Sequence, residues 1–293
     1  MNNPTIDEHH VPQYIIKNFA NKKNLVCVAD ISTAPCRFFM QTPANILFRK
    51  NLYETKNIDG TFFQRNSIEH QYRDIEAICS LHIPNIISRV EHGQALSEFD
   101  DSILFLATVL QLVRTPRVKK FLESNNDDLK GTSDGDLVFN AIYRILISSA
   151  QSGFDYLETN DFSLSPEAKA EIIQKMNNEN SALDVVLNFL MKECYTYIVR
   201  AEESMFLMAD EPVLIHKFPD IKYLYPISPK YAIACSVFES ESKLQSKFFM
   251  PIFKEGVRKV NLQTIKNAER FIVFNEAVQK EALELINSTI EKE

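Results

Sequence analysis

The feature that most constrains the fold is a change of hydrophobic period along the chain. From residue 67 onward, Ile68, Tyr72 and Ile75 recur at the spacing of one helix face. Short aromatic and β-branched runs stand on both sides, before residue 67 and after residue 193. This order predicts an α+β fold, in which a central helical bundle packs against mixed or antiparallel sheet segments from the N- and C-terminal parts.

The domain organisation follows from the same pattern. With 293 residues the chain is long enough for two domains. No linker and no internal repeat divides it, so we expect a single α+β domain over residues 1–293. That domain comprises an N-terminal mixed segment (1–66), a helical middle (67–193) and a strand-rich segment with a final helix (194–293).

The pattern also predicts the individual elements. Strands are predicted at residues 25–31, 37–40, 51–54, 61–64, 195–199, 205–208, 213–215, 231–237, 248–253 and 271–274. Helices are predicted at residues 11–20, 97–113, 137–149, 165–176, 182–192, 262–270 and 276–286. The helix that starts at residue 67 is expected to kink or break before Pro84. Residues 125–136 are predicted to form a surface loop, and residues 225–229 an edge or loop.

Composition and charge exclude several function classes. The chain has 39 acidic and 32 basic residues, a net charge of −7, which does not suit a generic polyanion binder. The basic run at residues 114–120 is more typical of a helix C-terminus than of a nucleic-acid patch. Nucleic acid therefore stays an alternative partner that the net charge does not support. Only six glycines occur, and neither GxGxxG nor GxxxxGK[ST] is present, which argues against a Gly-rich phosphate loop.

Cysteine usage and hydropathy bear on the compartment. The five cysteines form no CxxC pair, which is typical of reduced, mostly buried thiols. The first residues carry acids and no apolar stretch, unlike a signal peptide. The longest apolar run, residues 103–113, is far shorter than the about 20 residues of a membrane span. We therefore expect a cytoplasmic protein without membrane insertion.

Two histidines and two glutamates are the first candidates for chemistry. His9 and His10 precede a predicted helix start, where an imidazole can act as a base, bind a metal or cap the helix. Glu69 and Glu76 lie seven residues apart and so share one helix face. Paired carboxylates suit metal binding or acid–base work, and a solvated salt-bridge ladder is the structural alternative. His10, Glu69 and Glu76 are our candidate catalytic residues.

The end of the most hydrophobic helix supplies candidate substrate-binding residues. Arg114 emerges there, and a buried guanidinium requires a carboxylate or phosphate partner. The partner is either an anionic group of a substrate or one of the two carboxylates Glu69 and Glu76. In the first case Arg114 is an anion clamp, with Gln111 and Tyr14 as further substrate-binding residues.

Asp210 is the fourth candidate catalytic residue. It ends the apolar run at residues 206–209 and stands before Glu211 and Pro212. A rigid scaffold positions carboxylates at strand ends, and such residues often line sites. An Asx-turn that reverses the chain is the structural alternative.

These motifs, in this order, resemble the bacterial "domain of unknown function 4238" family over almost the whole chain. The segments that carry the resemblance are residues 9–19, 68–76, 112–116, 209–213 and 226–229. The resemblance implies that His10, Glu69, Glu76, Arg114 and Asp210 fall at motif positions of the family. The motif Ala-Asp-Glu-Pro departs from the family pattern, in which Ser or Thr precedes the Asp and Asn often follows it.

Two functional hypotheses follow. In the first, the candidate residues converge on one site, and the protein is a metal-dependent hydrolase or nuclease acting on a phosphodiester or nucleotide substrate. A His with several carboxylates fits a hard cation, so a divalent cation is left open as a cofactor. In the second, the protein is a non-catalytic binding or regulatory module, and the same residues form a structural ion network.

Overall fold

A computed structural model of the protein describes residues 6–125, 133–176, 178–179, 181–237 and 249–291. The strands are β1 (Asp7–His9), β2 (Val26–Asp30), β3 (Arg37–Gln41), β4 (Phe48–Lys50), β5 (Cys194–Ala201), β6 (Met208–Ala209), β7 (Leu214–Phe218), β8 (Ile221–Pro226), β9 (Tyr231–Val237), β10 (Phe249–Ile252) and β11 (Phe271–Phe274). The helices are α1 (Gln13–Asn18), α2 (Ser67–Glu91), α3 (Glu98–Val113), α4 (Pro116–Asn125), α5 (Ser133–Ile147), α6 (Ala150–Thr159), α7 (Pro166–Lys175), α8 (Ala182–Glu193), α9 (Lys254–Asn267) and α10 (Gln279–Ile290).

The strands form three sheets. A five-stranded sheet has the order β10-β5-β9-β8-β7, in which β10 runs parallel to β5 and the other neighbours are antiparallel. A four-stranded antiparallel sheet, β3-β2-β11-β6, joins strands from the two ends of the chain. Strands β1 and β4 form a short antiparallel pair. With the helical middle between them, these sheets confirm the predicted α+β fold.

Helix α3 lies at the centre of the hydrophobic core. Ser97 and Asp100 form a capping box at its start, which satisfies backbone N–H groups that the first turn leaves free. Its apolar residues, among them Leu104 and Val109, are fully buried between α2, α8 and the five-stranded sheet. In the described part of the chain, no helix combines the length and the apolar character needed to cross a membrane.

Helix α2 continues through Pro84 to Glu91. The predicted break therefore does not occur, and the kink that the sequence offered as its alternative stays a prediction. A proline removes one backbone hydrogen bond of the helix. The neighbouring Ile83 and Ile86 are buried in the core, and their packing holds the helix across that position.

The region between β4 and α2 also differs from the prediction. The strands predicted at residues 51–54 and 61–64 are absent there, and the described segment is a loop with one isolated bridge between Lys56 and Phe62. Asn51 and Gln64 adopt positive φ angles of 51° and 41°, which extended strands do not accommodate. Residues of this loop, among them Asn51 and Phe62, line the cleft described below.

Several other element boundaries were predicted wrongly. Helix α9 begins at Lys254, well before the predicted residue 262, and β6 is limited to two residues of the run at 205–208. Strand β8 occupies part of the segment predicted as an edge or loop, and its last residue, Pro226, pairs with Ala232. Helices α4 and α6 were not predicted. The described part of the predicted loop at 125–136 includes the start of α5, and residues 126–132 and 248 lie outside the described residues.

Candidate functional site

Arg114 caps the C-terminus of α3 and is the centre of a buried polar network. Its side chain is 1% exposed. The guanidinium donates to the carboxylate of Glu76 on α2 and to the backbone carbonyl of His9, and its Nε lies 3.3 Å from the Tyr53 hydroxyl. It also stacks over the ring of Tyr72, 5.1 Å from the centroid. The guanidinium is therefore paired within the protein, as the structural alternative for this residue required.

The predicted substrate-binding residues beside Arg114 are also engaged by the protein itself. The side-chain amide of Gln111 donates to the His10 carbonyl at 2.8 Å, and its oxygen accepts from the Tyr225 hydroxyl at 3.2 Å. Tyr14 hydrogen-bonds the Cys79 thiol, and burial raises the pKa of the Tyr14 phenol. These contacts join α1, α2, α3 and β8 into one rigid unit.

His10 is buried and held neutral. Burial, with the positive charges of Arg49 and Arg114, lowers its pKa to about 3. Its Nδ1 is buried and has no hydrogen-bond partner among the described residues. A histidine in this state is not a proton donor near neutral pH, although its ring can accept a hydrogen bond.

Four carboxyl groups interact through their charges, and two of them, Glu69 and Glu76, also interact with Arg114. We call Glu8, Glu54, Glu69 and Glu76 the carboxyl cluster. Glu8 on β1 is fully buried, and its Oε2 accepts a hydrogen bond of 2.8 Å from the Tyr53 backbone N–H. Glu54 accepts one of 2.6 Å from the backbone N–H of residue 66. These two carboxyls approach each other from β1 and from the loop before α2.

The carboxyl cluster has unusual titration behaviour. Burial, together with the charges of Glu54 and Glu69, raises the pKa of Glu8 to about 8. The hydrogen bond from the Tyr53 backbone N–H acts in the opposite direction and lowers this pKa. Burial also raises the pKa of Glu69 to about 7, although Arg114 opposes this shift. Glu8 thus holds a proton near neutral pH, because burial and the neighbouring carboxyls both disfavour its charged form.

A cleft of about 880 Å³ opens beside the carboxyl cluster. Residues of its wall are Asn51, Glu54, Lys56, Lys119, Phe139 and Tyr156. The side-chain oxygen Oδ1 of Asn51 is buried and has no hydrogen-bond partner among the described residues, whereas the Glu8 carboxyl hydrogen-bonds the Glu54 side chain. Buried polar atoms in native proteins are nearly always paired, so the Asn51 acceptor calls for an explanation.

Lys119 on α4 places a positive charge at the same end of the cleft. Burial lowers the pKa of its ammonium group, while the charges of Glu123 and Glu8 raise it. The ammonium lies 5.4 Å from the centroid of the Tyr143 ring. The cleft is therefore lined by both acidic and basic side chains and by one acceptor atom without a partner, Asn51 Oδ1.

Asp210 lies in a different set of contacts. Its carboxylate accepts three backbone hydrogen bonds, from the N–H groups of Glu269, Arg270 and Phe271, at 2.9 to 3.0 Å. Among the described residues, none of its hydrogen bonds reaches His10 or Arg114. The carboxylate fastens the distant turn between α9 and β11, so its role is structural but differs from the local Asx-turn that the sequence suggested.

Glu211 follows Asp210 and joins it to the helical middle. Its carboxylate lies 3.3 Å from the backbone nitrogen of Arg117 and 3.8 Å from the guanidinium of the same residue. The Asn267 side chain donates to the Glu211 carbonyl at 2.6 Å. Burial raises the pKa of Glu211 to about 7, and the charge of Arg117 lowers it. The Glu211 side chain thus connects the motif at residues 209–213 with Arg117 at the start of α4, although the sequence analysis gave Glu211 no role.

Comparison with known proteins identifies the family. Residues 8–277 match the family described as "Protein of unknown function (DUF4238)". The chain belongs to this family. The match includes every candidate residue named above, and it begins at Glu8 of the carboxyl cluster. No curated protein and no solved structure matches the chain.

The DUF4238 chain does not gather its candidate residues around one metal ion. Within the described ranges, no group of three or more His, Cys, Asp or Glu side chains is arranged to hold a metal. Glu69 and Glu76 lie near Arg114, and His10 is tied to the same unit through Gln111, whereas Asp210 is fixed against the turn before β11. The structure therefore brings Glu69, Glu76, Arg114 and His10 together, whereas Asp210 makes its contacts elsewhere.

Sequence reasoning missed Glu8, Glu54 and Arg144. Arg144 on α5 is 1% exposed, and its three guanidinium nitrogens donate to the hydroxyls of Ser152, Thr55 and Ser67 at 2.9 to 3.2 Å. Burial lowers its pKa to about 10, and the nearby charge of Glu54 opposes this shift. A signal for Glu8 was available in its position directly before the two histidines.

Proposed function

We propose that the protein binds a small polar molecule in the cleft beside the carboxyl cluster. Asn51 and the carboxyl pair Glu8–Glu54 form the polar end of this binding site. The observation that carries the proposal is a buried acceptor atom without a partner, Asn51 Oδ1, in the wall of a cleft of about 880 Å³ that the Glu54 carboxyl also lines. Binding pockets typically combine an apolar wall with a few such convergent polar groups.

The contacts of the motif residues support a binding module with a structural ion network. Arg114 is paired with Glu76, and Asp210 is saturated by backbone N–H groups. Groups held in this way stabilise the fold and orient the site, and they are not free to clamp a substrate. In this proposal the network holds β1, α2 and α3 in the positions that shape the inner end of the cleft.

Hydrolysis of a phosphodiester or nucleotide bond stays a prediction. It is favoured by one observation, the raised pKa values of Glu8 and Glu69, because groups that titrate near neutral pH suit proton transfer. The hypothesis expects that His10→Ala and Asp210→Ala abolish the activity with little change in melting temperature. Unfolding of both variants would instead assign these residues to the structure.

The proposal includes the setting of the binding site. All five cysteines are free in the structure, which favours a reducing compartment such as the cytoplasm. The sheet that pairs β2 and β3 with β11 supports one α+β domain, because it ties the two ends of the chain together. Thermal unfolding and limited proteolysis test the single domain. One cooperative unfolding transition is expected, and two separable proteolytic fragments would contradict it.

A fragment screen followed by amide NMR spectroscopy tests the binding proposal. Small polar fragments are expected to shift the backbone amides around Asn51, Phe139 and Asn140 in a saturable manner. Lys119→Met, which keeps the length of the side chain and removes its charge, is expected to change the affinity of the charged fragments. Glu203→Gln on the exposed surface is the matched control. Fragments that bind only elsewhere, or with the same affinity to both variants, would refute the proposal.

A further inference from the structure

The balance of charge and hydrogen-bonding atoms in the cleft indicates the class of ligand. Three acidic side chains and two basic ones line it, and Glu8 lies buried behind Glu54. The unpartnered atom in its wall, Asn51 Oδ1, is an acceptor, and the Glu54 carboxylate lines the same cleft. An acceptor without a partner is satisfied by a hydrogen-bond donor, and a surplus of carboxylates favours a positive charge on that donor.

The remaining wall of the cleft suits an organic cation rather than a metal ion. Aromatic side chains line it, namely Phe62, Phe139 and Tyr156. Aromatic faces attract cations that carry an apolar stem, and the Lys56 ammonium already lies 5.9 Å from the Phe62 ring centroid. The described side chains offer no cluster of three metal ligands. A donor with several N–H groups and a carbon chain matches both surfaces.

We infer that the cleft binds an organic cation through a primary amine or guanidinium group, which is held by the Glu54 carboxylate and the Asn51 side-chain oxygen. This inference rests on the proposed function and names its ligand class. Glu54 is 8% exposed and is fixed by its hydrogen bond to the backbone at residue 66. The site is thus preorganised, and binding does not have to order it.

Binding of such a cation is coupled to a proton on Glu8. The charged and titratable groups around this carboxyl are Glu54, Glu69, Tyr53, Tyr143 and Lys119. Below pH 8 the Glu8 carboxyl is neutral, and a cation bound beside it favours the carboxylate. The proton then leaves Glu8 for the solvent, one per ligand bound. Affinity therefore rises with pH, by up to about tenfold per pH unit below 8 for a fully coupled proton.

Three probes of matched shape test the ligand class. Butylguanidinium carries a charge at every pH used, butylurea is its neutral counterpart, and pentanoate is an anion of similar length. Each is titrated into the full chain at pH 6, 7 and 8, with the amide NMR signals near Asn51, Phe139 and Asn140 as readout. Butylguanidinium is expected to bind at least tenfold more tightly than butylurea, and more tightly as the pH rises.

Two variants separate the direct contact from the proton linkage. Glu54→Gln, which keeps an acceptor for the backbone at residue 66, is expected to weaken butylguanidinium at least tenfold. Glu8→Gln is expected to remove the pH dependence, and Glu203→Gln to change neither. Thermal unfolding confirms that each variant is folded, and Lys119→Met, expected to strengthen binding severalfold, serves as an independent variant.

The outcomes distinguish this inference from the proposed function. Butylurea or pentanoate binding in the cleft as tightly as butylguanidinium would overturn the cation inference and leave the binding site standing. Unchanged butylguanidinium affinity in Glu54→Gln would overturn the assigned contact. If none of the three probes and no polar fragment gives a saturable shift in these amides, both proposals are refuted.

Discussion

Replacing Glu8 by glutamine is expected to stabilise the protein at neutral pH. Glu8 is fully buried beside other carboxyls, and its pKa is raised from 4.5 to about 8. A glutamine side chain has the shape of the protonated acid and cannot ionise. Its oxygen can still accept from the Tyr53 backbone N–H, and its amide group lies next to Glu54. Glu8→Gln therefore keeps the contacts and removes a titration that opposes folding.

The size of the effect follows from linkage between protonation and folding. At pH 7 the unfolded chain has this carboxyl ionised, whereas the folded chain must hold a proton on it. Keeping that proton about 2.5 pH units above the ordinary pKa of 4.5 costs about 3 kcal/mol. A group whose pKa is raised by folding contributes stability below its unfolded pKa and loses it as the pH rises. The gain from Glu8→Gln is thus small below pH 4.5 and grows until about pH 8.

Urea denaturation of the two proteins between pH 5 and 9 measures this gain. The free energy of unfolding of the unsubstituted protein is expected to fall from about pH 4.5 to about pH 8, because the pKa values of Glu69 and Glu211 are also raised from 4.5, to about 7. Glu8→Gln should show a shallower fall, and the exposed Glu203→Gln should follow the unsubstituted protein. A variant that is less stable at pH 7, or a difference independent of pH, would refute the reasoning.

Two further substitutions test the structural network. Arg114→Ala removes the buried partner of Glu76 and is expected to lower the free energy of unfolding by about 3–5 kcal/mol. The exposed control Arg73→Ala should change it by less than about 0.5 kcal/mol. Equal stability of the two variants would contradict the network. Asp210→Ala strands three backbone N–H groups and is expected to cost about 2–4 kcal/mol in urea denaturation, with the exposed Asp74→Ala as control. An unchanged midpoint for Asp210→Ala, with loss of an enzymatic activity, would favour the hydrolase hypothesis instead.

The fold class could be predicted because local patterns and tertiary packing agree in the elements that define it. The start of α3 carries Ser97 with acids in the first turn, and the structure has a capping box there. The run at residues 271–274 is apolar and aromatic, and it forms β11 with the same bounds. Each of these elements is buried along the face that its sequence pattern marks.

The missed elements are those in which tertiary contacts outweigh the local signal. The first two turns of α9 are largely polar and exposed, so their periodicity is weak. Strand β8 ends in a proline, which the pattern assigned to an edge or loop, yet β8 is an inner strand of its sheet and Pro226 faces Ala232 in the ladder. Helix α2 runs through Pro84 because neighbouring residues are packed into the core.

The candidate site was predictable only in part, for a related reason. Arg114 was expected to need an anionic partner, and Glu76, which lies 38 residues earlier on another helix, was one of the two carboxylates proposed. No sequence pattern indicated that Glu8 and Glu54 belong to the site. Their burial arises from long-range contacts, such as the Glu8 hydrogen bond to the backbone of Tyr53, 45 residues later. Single-chain patterns do not encode which distant carboxyls will share one buried space.

The titration of the Glu8 carboxyl tests the central claim most directly. Glutamate labelled with ¹³C at the carboxyl carbon is introduced into the protein, and Glu8→Gln assigns the signal that belongs to Glu8. Between about pH 3.5 and 10 this signal is expected to titrate with a midpoint near 8, and butylguanidinium should move the midpoint to lower pH. A midpoint near the ordinary value of 4.5, unmoved by the cation, would contradict both the buried carboxyl cluster and its role in binding.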